Sequence, residues 1–329
     1  MTHTIDWADG PAVVIIDQTA LPHREELLRL TTVAELIDAI QRLAVRGAPA
    51  LGVAGALGVA LAARTSADPA ADVAALRSAR PTAVNLAWGV DRAVGRLPEG
   101  PDAVLAEALA IRDEDIASSA SMGRYGADLV IELVGTAPRL LTHCNTGRLA
   151  CVTGGTALGV ITTLFHDGRP VEVIASETRP LLQGARLTSW ELASAGVPYR
   201  LAVDGAGPFL MARGDVDAVV LGADRICANG DVVNKVGTYS HALGAARAGI
   251  PFLVVAPEST VDMDTKSGAD VEIEDRGSAE ITDVGLPAVN PAFDVTPHDL
   301  VTAIVTDRRV VRLDRGETLS GVPRGELRA

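Results

Sequence analysis

Two segments far apart in the chain each place a proton-transferring residue after an apolar run. Cys144 follows residues 139–143, and Asp224 follows closely after residues 216–221. Open parallel sheets bind their ligands at the carboxyl ends of their strands. If both runs are strands of one such sheet, a thiol and a carboxylate reach the same edge. This pattern predicts acid/base chemistry on a small molecule.

Cys144 has two interpretations. Asn145, Thr146 and Gly147 follow it, and a thiol is activated when backbone N–H groups or cations face it. Cysteine is also among the most buried residue types, so a structural role is the alternative. His143 is a doubtful base for this thiol, because adjacent strand residues point to opposite faces.

Asp224 also has two interpretations. A carboxylate at the end of an apolar strand is costly unless it is paired or protonated. Burial favours the protonated form, which is the form that a general acid needs. An ion pair with the neighbouring Arg225, or a helix cap, would explain the residue equally well, and both interpretations stay open.

Positive charge for an anionic substrate is present in two places. Arg46, Gly47 and Ala48 lead into a helix that is expected to begin near Pro49. A helix N-terminus beside an arginine suits phosphate. Taken alone, an ordinary helix start with a solvated arginine is the simpler interpretation. Lys235, at the end of a polar turn, is a second candidate for phosphate.

Polar residues also follow the apolar runs at 171–175 and 200–203. Residues 177–186, which include Gln183, are well placed to bind ligand hydroxyl groups, and Asp204 has a similar position. A charged loop is the alternative for both. No GxGxxG or Walker sequence follows the first strand of the alternating region, so we expect no nicotinamide or ATP cofactor.

Composition narrows the class of protein. The 329 residues are 48% hydrophobic and 22% charged, which is typical of a globular chain of two domains. The net charge of −13 argues against nucleic acid as a partner. The three cysteines form no CxxC pair, so we expect no disulfide and no metal site, a reducing compartment, and structural roles for Cys151 and Cys227.

The chain shows no signal for export or membrane insertion. Its first residues lack a basic start followed by an apolar run, so no signal peptide is expected. Residues 47–63 are apolar, but they are few for a span and contain Pro49, which favours a buried helix. We therefore expect a cytoplasmic protein that does not contact a membrane.

The pattern of elements changes near residue 136. Before it, one strand is predicted at 12–16. Helices are predicted after this strand at 32–43, 82–96, 102–119 and 122–134. After it, strands alternate with helices. The strands are predicted at 139–143, 171–175, 199–203, 217–222 and 251–256, and the helices at 181–195, 206–213, 238–248 and near 297–302. Alternation of this kind predicts a Rossmann-like parallel sheet. The fold class is therefore α/β, with a smaller, mainly helical domain with a short sheet (1–135) before a Rossmann-like catalytic domain (136–329).

Several ordered motifs resemble the methylthioribose-1-phosphate isomerases, over residues 10 to 313. They are residues 46–52, 80–86, 142–147, 177–180 with 182–186, 222–226, 229–231 with 234–239, 251–252 with 256–260, and 290–297. Regulatory subunits of an initiation-factor exchange complex and ribose-1,5-bisphosphate isomerases share this fold. The presence of both Cys144 and Asp224 resembles the isomerases rather than the regulatory subunits.

The resemblance implies an activity and a set of site residues. The activity is the aldose–ketose isomerisation of 5-methylthioribose 1-phosphate in methionine salvage, by a homodimer without a cofactor. By motif, Asp224 is the acid/base residue and Cys144 assists at the reacting centre. The residues implied in substrate binding are Arg46, Gly47, Ala48, Arg80, Gln183, Asn234 and Lys235.

Two segments depart from the family pattern. Residues 203–209 are less bulky than is usual, and Arg148 stands where a small residue is common. Both departures lie near the expected substrate pocket and bear on which group is accepted at C5 of the sugar. We therefore keep 5-deoxyribose 1-phosphate as an alternative substrate. Two further hypotheses stay open: isomerisation of ribose 1,5-bisphosphate, and a non-catalytic role as a sensor of sugar phosphates or nucleotides.

Overall fold

The computed structural model describes residues 3–80 and 83–321. The chain divides into two compact units. Unit 1 comprises residues up to Ser119 and the segment Gly147–Gly155, and unit 2 comprises Ala120–Thr146 and the residues from Thr156 onward. The sequence predicted domains at 1–135 and 136–329. These domain ranges stay a prediction.

Unit 1 contains a small sheet and a group of helices. The antiparallel sheet has the order β1 (Ile5–Ala8), β2 (Ala12–Ile16), β3 (Leu27–Leu30). The helices are α1 (Val33–Gln41), α2 (Ala48–Thr65), α3 (Pro69–Arg77), α4 (Val84–Val94) and the first part of α5 (Pro101–Val134). Thr32 caps α1 in a capping box with Glu35, which explains why the predicted helix begins there. The predicted start of α4 at Thr82 lies outside the described residues.

Helix α2 is the apolar segment that the sequence assigned to a buried helix. Among the described residues, it alone is long and apolar enough to cross a membrane. Its residues from Ala50 to Ala62 are buried, and they belong to the hydrophobic core of unit 1. The prediction of a core helix is confirmed.

Helix α5 corrects one prediction. The sequence predicted two helices, at 102–119 and 122–134, whereas a single helix runs from Pro101 to Val134. No proline interrupts this stretch after Pro101. At Gly126 the helix packs closely on the helix that contains Val160, since a Cβ there would lie 2.2 Å from a methyl group of this valine; this glycine serves helix packing and does not end the helix.

Unit 2 contains the remaining strands and helices of the described chain. The strands are β4 (Arg139–Thr142), β5 (Glu172–Ser176), β6 (Tyr199–Ala202), β7 (Ala218–Leu221), β8 (Arg225–Cys227), β9 (Val232–Lys235), β10 (Phe252–Val255), β11 (Val261–Asp262), β12 (Phe293–Thr296), β13 (Ala303–Val305) and β14 (Val310–Val311). The helices are α6 (Ala157–His166), α7 (Ser189–Ala195), α8 (Gly207–Ala212) and α9 (Thr238–Ala248).

The large sheet of unit 2 is doubly wound. Its strand order is β14-β13-β10-β7-β4-β5-β6. All neighbours are parallel except β13 and β14. From β4 the chain proceeds through β5 and β6 on one side, and then returns to build β7, β10 and β13 on the other. The strand order therefore reverses between β4 and β7, which confirms the predicted α/β class.

A second, four-stranded sheet has the order β11-β8-β9-β12. The sequence did not predict it as a sheet, because its strands are short and carry polar residues. The helix predicted at 297–302 is also wrong: only a single 3-10 turn, His298–Leu300, forms there, since β13 begins at Ala303. The helix predicted at 181–195 is a π-helical turn, Gly184–Thr188, followed by α7.

Candidate active site

Cys144 and Asp224 lie on the two sides of the strand reversal. Cys144 follows β4 and Asp224 follows β7, and these strands are parallel neighbours. The segments after them are in contact, because a Cβ on Gly222 would lie 2.7 Å from the Thr146 methyl group. Crevices at such reversals are where doubly wound sheets bind small molecules. Unit 2 thus brings the predicted thiol and carboxylate to one edge.

The backbone of Cys144 has an unusual conformation. Its φ is +61°, in the left-handed region that non-glycine residues rarely adopt. The Cys144 N–H donates to Thr178 Oγ1 at 2.9 Å, and Thr188 Oγ1 donates to the Cys144 carbonyl at 2.6 Å. Two hydroxyl groups therefore hold the peptide groups on both sides of the thiol.

Residues after β5 and β6 hold these hydroxyl groups. Thr178 has φ +66°, and its N–H and that of Arg179 donate to the two oxygens of Asp204 at 2.8 and 2.7 Å. Asn145 Nδ2 donates to Glu191 Oε1 at 2.7 Å and to Thr188 Oγ1 at 3.3 Å. Asp204 and the 177–186 segment therefore support Cys144, a role that the sequence did not assign to them.

His143 is fully buried, and its ring is engaged on both sides. Nε2 lies 2.9 Å from the Val236 carbonyl, so Nε2 must carry the proton, since a carbonyl only accepts. Nδ1 then accepts from Ser176 Oγ at 2.5 Å and from His241 Nε2 at 3.3 Å. Burial lowers the pKa of His143 to about 4 and that of His241 to about 3. Both rings are neutral at pH 7.

Asp224 is half-buried and is hydrogen-bonded to the four-stranded sheet of unit 2. Its N–H donates to the Val233 carbonyl at 3.0 Å, which places Asp224 beside the residue that precedes Asn234. The neighbouring Arg225 lies 3.2 Å from Asp262. The protonation state that the sequence argument gave Asp224 stays a prediction.

Asn234 and Lys235 are buried at the end of β9. Asn234 Nδ2 donates to Thr238 Oγ1 at 2.9 Å. Lys235 Nζ donates to the Ala292 carbonyl at 2.8 Å and lies 4.5 Å from the centre of the Phe293 ring. Strand β12 and the residue before it therefore provide much of the surroundings of the ammonium group.

Asp294 is a residue of this region to which the sequence analysis gave no role. It faces Asn234 across β9 and β12, and its Oδ2 accepts the N–H groups of Gly237 and Tyr239 at 2.7 and 3.1 Å. Burial raises the pKa of Asp294 to about 6, although those N–H groups and Lys235 favour the charged form. Only the pairing of strands far apart in sequence reveals this role.

Gln183 is buried directly before the π-helical turn. Its Oε1 has no hydrogen-bond partner in the part of the chain that the structure describes. A buried amide oxygen without a partner is costly, and a ligand hydroxyl or N–H would satisfy it. The role of Gln183 in substrate binding stays a prediction.

The other predicted binding residues belong to unit 1. Arg46 is buried, Gly47 is the N-cap of α2 with φ +92°, and Ala48 opens the helix. A Cβ on Gly47 would lie 2.6 Å from Ala150, so no other residue fits there. Arg80 comes shortly before α4, and Pro81 and Thr82 of its motif lie outside the described residues.

The two remaining cysteines have the structural character that the sequence predicted. Cys151 and Cys227 are buried, and burial raises the pKa of Cys227 to about 11. Within residues 3–80 and 83–321, no group of three or more His, Cys, Asp or Glu side chains is arranged to hold a metal ion.

Unit 2 thus has the geometry of a doubly wound α/β protein, a class that binds small molecules at the strand reversal, which here falls between β4 and β7. A family model described as the Initiation factor 2 subunit family matches residues 44–312. The chain belongs to this family.

Relatives of known name are similar along most of the chain. A methylthioribose-1-phosphate isomerase of Anaeromyxobacter sp. (strain K) is 53% identical, over 91% of both chains. A 5-deoxyribose 1-phosphate isomerase of Moorella thermoacetica is 47% identical over 98% of both. A probable bifunctional methylthioribose-1-phosphate isomerase/methylthioribulose-1-phosphate dehydratase of Nocardia farcinica is 54% identical over 94% of this chain, which spans only 59% of that relative.

Two solved structures are also similar. The 5-methylthioribose 1-phosphate isomerase from Pyrococcus horikoshii is 40% identical with a TM-score of 0.86, over 95% of this chain and 93% of that one. A structure described as translation initiation factor eIF-2B, subunit delta, from A. fulgidus is 42% identical with a TM-score of 0.82, over 95% and 96%.

Proposed function

We propose that the protein is an aldose–ketose isomerase that converts 5-methylthioribose 1-phosphate to 5-methylthioribulose 1-phosphate in methionine salvage. The observation that carries the proposal is the placement of Cys144 and Asp224 on either side of the β4/β7 reversal. The names of relatives about half identical to this chain point to the same reaction.

The proposed chemistry needs no external oxidant. A sugar that carries phosphate on C1 has no free anomeric hydroxyl, so its ring opens only if the ring oxygen takes a proton while its bond to C1 breaks. We assign that proton to Asp224. One hydrogen then moves from C2 to C1, and the C2 hydroxyl loses its proton as its oxygen becomes the ketone. Cys144 assists the hydrogen transfer between these two carbons. The proton that leaves the C2 hydroxyl returns to Asp224 and replaces the one that Asp224 donated to the ring oxygen.

The proposed binding groups differ in their support. Lys235 offers a positive charge for phosphate, and Asn234 and Gln183 offer amides for sugar hydroxyls. All three belong to the unit that holds Cys144 and Asp224. The roles of Arg46, Gly47, Ala48 and Arg80 remain predictions, supported by the resemblance and by the helix N-terminus at Gly47 and Ala48.

The proposal is tested with a coupled assay for ketose 1-phosphate formation. We expect turnover by the wild type and a loss of about 10³-fold or more in kcat for Asp224→Asn. Asp215→Asn is the matched control, because Asp215 precedes β7 and so lies at the opposite edge of the sheet. Unchanged turnover in Asp224→Asn would refute the assigned role. Ligand binding without turnover in the wild type would favour a sensor.

A second candidate substrate is 5-deoxyribose 1-phosphate. A relative 47% identical over nearly the whole chain carries the name of that activity. The two substrates differ only in the group on C5. Comparison of kcat/KM for both, measured on the same preparation, decides between them.

We also propose that the protein is a homodimer and that it is cytoplasmic. The family resemblance favours the homodimer, and three cysteines without a CxxC pair favour a reducing compartment such as the cytoplasm. Light scattering of the purified chain tests the first, since a mass near 34 kDa would contradict it. Cell fractionation tests the second.

A further inference from the structure

Two residues in the left-handed region contact each other beside the proposed site. Cys144 has φ +61° and Thr178 has φ +66°, and the Cys144 N–H donates to Thr178 Oγ1. Such backbone conformations are unfavourable for residues with a Cβ. They persist only where the surroundings hold them, and they cluster at functional sites.

The two threonine hydroxyl groups have fixed hydrogen-bond directions. Thr178 Oγ1 donates its single proton to the Ser176 carbonyl at 3.1 Å, so it can accept from the Cys144 N–H. Thr188 Oγ1 donates to the Cys144 carbonyl and accepts from Asn145 Nδ2. Because each hydroxyl has one proton, a group that only donates or only accepts could not replace either.

The support next to the thiol comes from neutral groups. The carboxylates of Asp204 and Glu191 act one step further away, on the N–H groups of Thr178 and Arg179 and on the amide of Asn145. Thr178 and Thr188 are themselves fully buried. The bond that the Cys144 N–H donates to Thr178 Oγ1 and the bond that Thr188 Oγ1 donates to the Cys144 carbonyl therefore fix this backbone through neutral partners.

We infer that Thr178 and Thr188 are positioning residues that hold Cys144 in its strained conformation and so set the place of its sulfur. The inference rests on the proposed function, because it gives the position of this sulfur a catalytic purpose. Loss of either hydroxyl leaves a partly buried peptide group of Cys144 without that hydrogen bond, and the backbone relaxes.

The first test compares isosteric and conservative variants in the isomerase assay. Thr178→Val and Thr188→Val keep the shape but remove the hydroxyl, and we expect kcat to fall about 10- to 100-fold, because small misplacements of a reacting group are costly. KM should change by less than about threefold. Thr178→Ser and Thr188→Ser should restore most of kcat. Thr162→Val, on α6, is the control.

The second test needs no substrate. The rate of alkylation of Cys144 by iodoacetamide is followed by peptide mass mapping, which separates it from the buried Cys151 and Cys227. We expect the valine variants to change this rate about fivefold or more and the serine variants to match the wild type. If the wild type has no isomerase activity, the proposed function is wrong, but the alkylation test of Cys144 remains valid. Valine variants that change neither kcat nor alkylation overturn the inference.

A third comparison holds even if a valine variant fails to fold. Glycine adopts a positive φ without strain, whereas alanine does not. Cys144→Gly should therefore melt about 2 °C or more above Cys144→Ala. The reverse order would show that the position is not strained, and the inference would fail.

Discussion

The proposed site is built from two segments whose buried titratable groups differ in kind. The thiol segment, residues 143–145, is fixed by hydroxyl groups at Cys144, by the imidazole of His241 beside His143, and by the Glu191 carboxylate at Asn145. The lysine segment, residues 234–238, is fixed by the Asp294 carboxyl group and surrounds a buried ammonium group. Burial favours the neutral form of both kinds of group; the neutral imidazole is the deprotonated form, whereas the neutral carboxyl is the protonated form.

The two segments therefore respond to pH in opposite directions. His143 and His241 have lowered pKa values, so the folded state loses stability as pH falls below about 6.5, where the unfolded rings gain protons. Asp294 has a raised pKa, so its contribution to stability is present below about pH 4 and is lost as pH rises through about 6.

The largest expected effect concerns the support of the thiol segment. A Cβ on Gly184 would lie 1.7 Å from the Ser176 carbonyl oxygen, a backbone atom that cannot move aside. We expect Gly184→Ala to lower the free energy of unfolding by about 4 kcal/mol or more, measured by urea denaturation.

Gly205→Ala is its matched control, because a Cβ there meets nothing within 4 Å. That variant should stay within about 0.5 kcal/mol of the wild type. Equal stability of the two variants would show that the turn before Thr188 is not tightly packed on β5.

The second effect isolates the buried imidazoles. His241→Gln can place an amide N–H near the position of Nε2, the atom that contacts His143, but the amide cannot gain a proton in this pH range. Between pH 6.5 and 4.5 we expect the wild type to lose more stability than the variant, by on the order of 2 kcal/mol. The exposed His166 gives the control His166→Gln, which should follow the wild type. If the stability curves of His241→Gln and the wild type were parallel, the buried imidazoles would not cause the loss at acid pH.

The third effect has the opposite sign and belongs to the lysine segment. Asp294→Asn can still accept the two N–H groups. As pH rises from 4 to 6.5, the wild type should lose stability relative to this variant, by on the order of 2 kcal/mol, in urea titrations at each pH.

Asp231 provides the control for Asp294. Burial pushes its pKa upward, but hydrogen bonds from Asn229, His298 and Gly268 prevail and lower it to about 2. The stability gained from Asp231 should therefore be lost at acid pH, and Asp231→Asn should show the reverse trend. If stability followed the same pH trend in Asp231→Asn and Asp294→Asn, the opposite pKa shifts assigned to these two carboxyl groups would be wrong.

The smallest effect tests the aromatic contact of Lys235. The ring of Phe293 lies 4.5 Å from Nζ, and such contacts contribute about 0.5–1 kcal/mol. Phe293→Leu should raise KM for the sugar phosphate about two- to fivefold, with kcat nearly unchanged. Phe165→Leu, on α6, is the control. If kcat fell by a larger factor than KM rose, the Phe293 contact would act on the chemical step and not on substrate binding.

The sequence predicted those features that depend on local pattern. Apolar runs located the central strands of the large sheet within a residue or two, and the residues that follow them, Cys144 and Asp224, lie at its carboxyl edge as expected. Continuous helices were harder to predict. The break expected near residue 120 does not occur, because the glycines of α5 serve packing.

The supports of the site were beyond local pattern. Asp294 stands 57 residues from Gly237, whose N–H it accepts, and neither segment signals the other. The sequence predicted Thr188 only as part of an ordinary helix. Its hydroxyl reaches Cys144 because the π-helical turn packs on β5, which local pattern does not reveal.

By itself, the sequence determined the class of the protein and the pair of residues proposed for its chemistry, because strand hydrophobicity and motif order are written in adjacent residues. The tertiary structure alone decided how that pair is held. Hydroxyl directions, the neutral state of His143 and the raised pKa of Asp294 depend on which distant groups are buried together, and burial is a property of the folded chain.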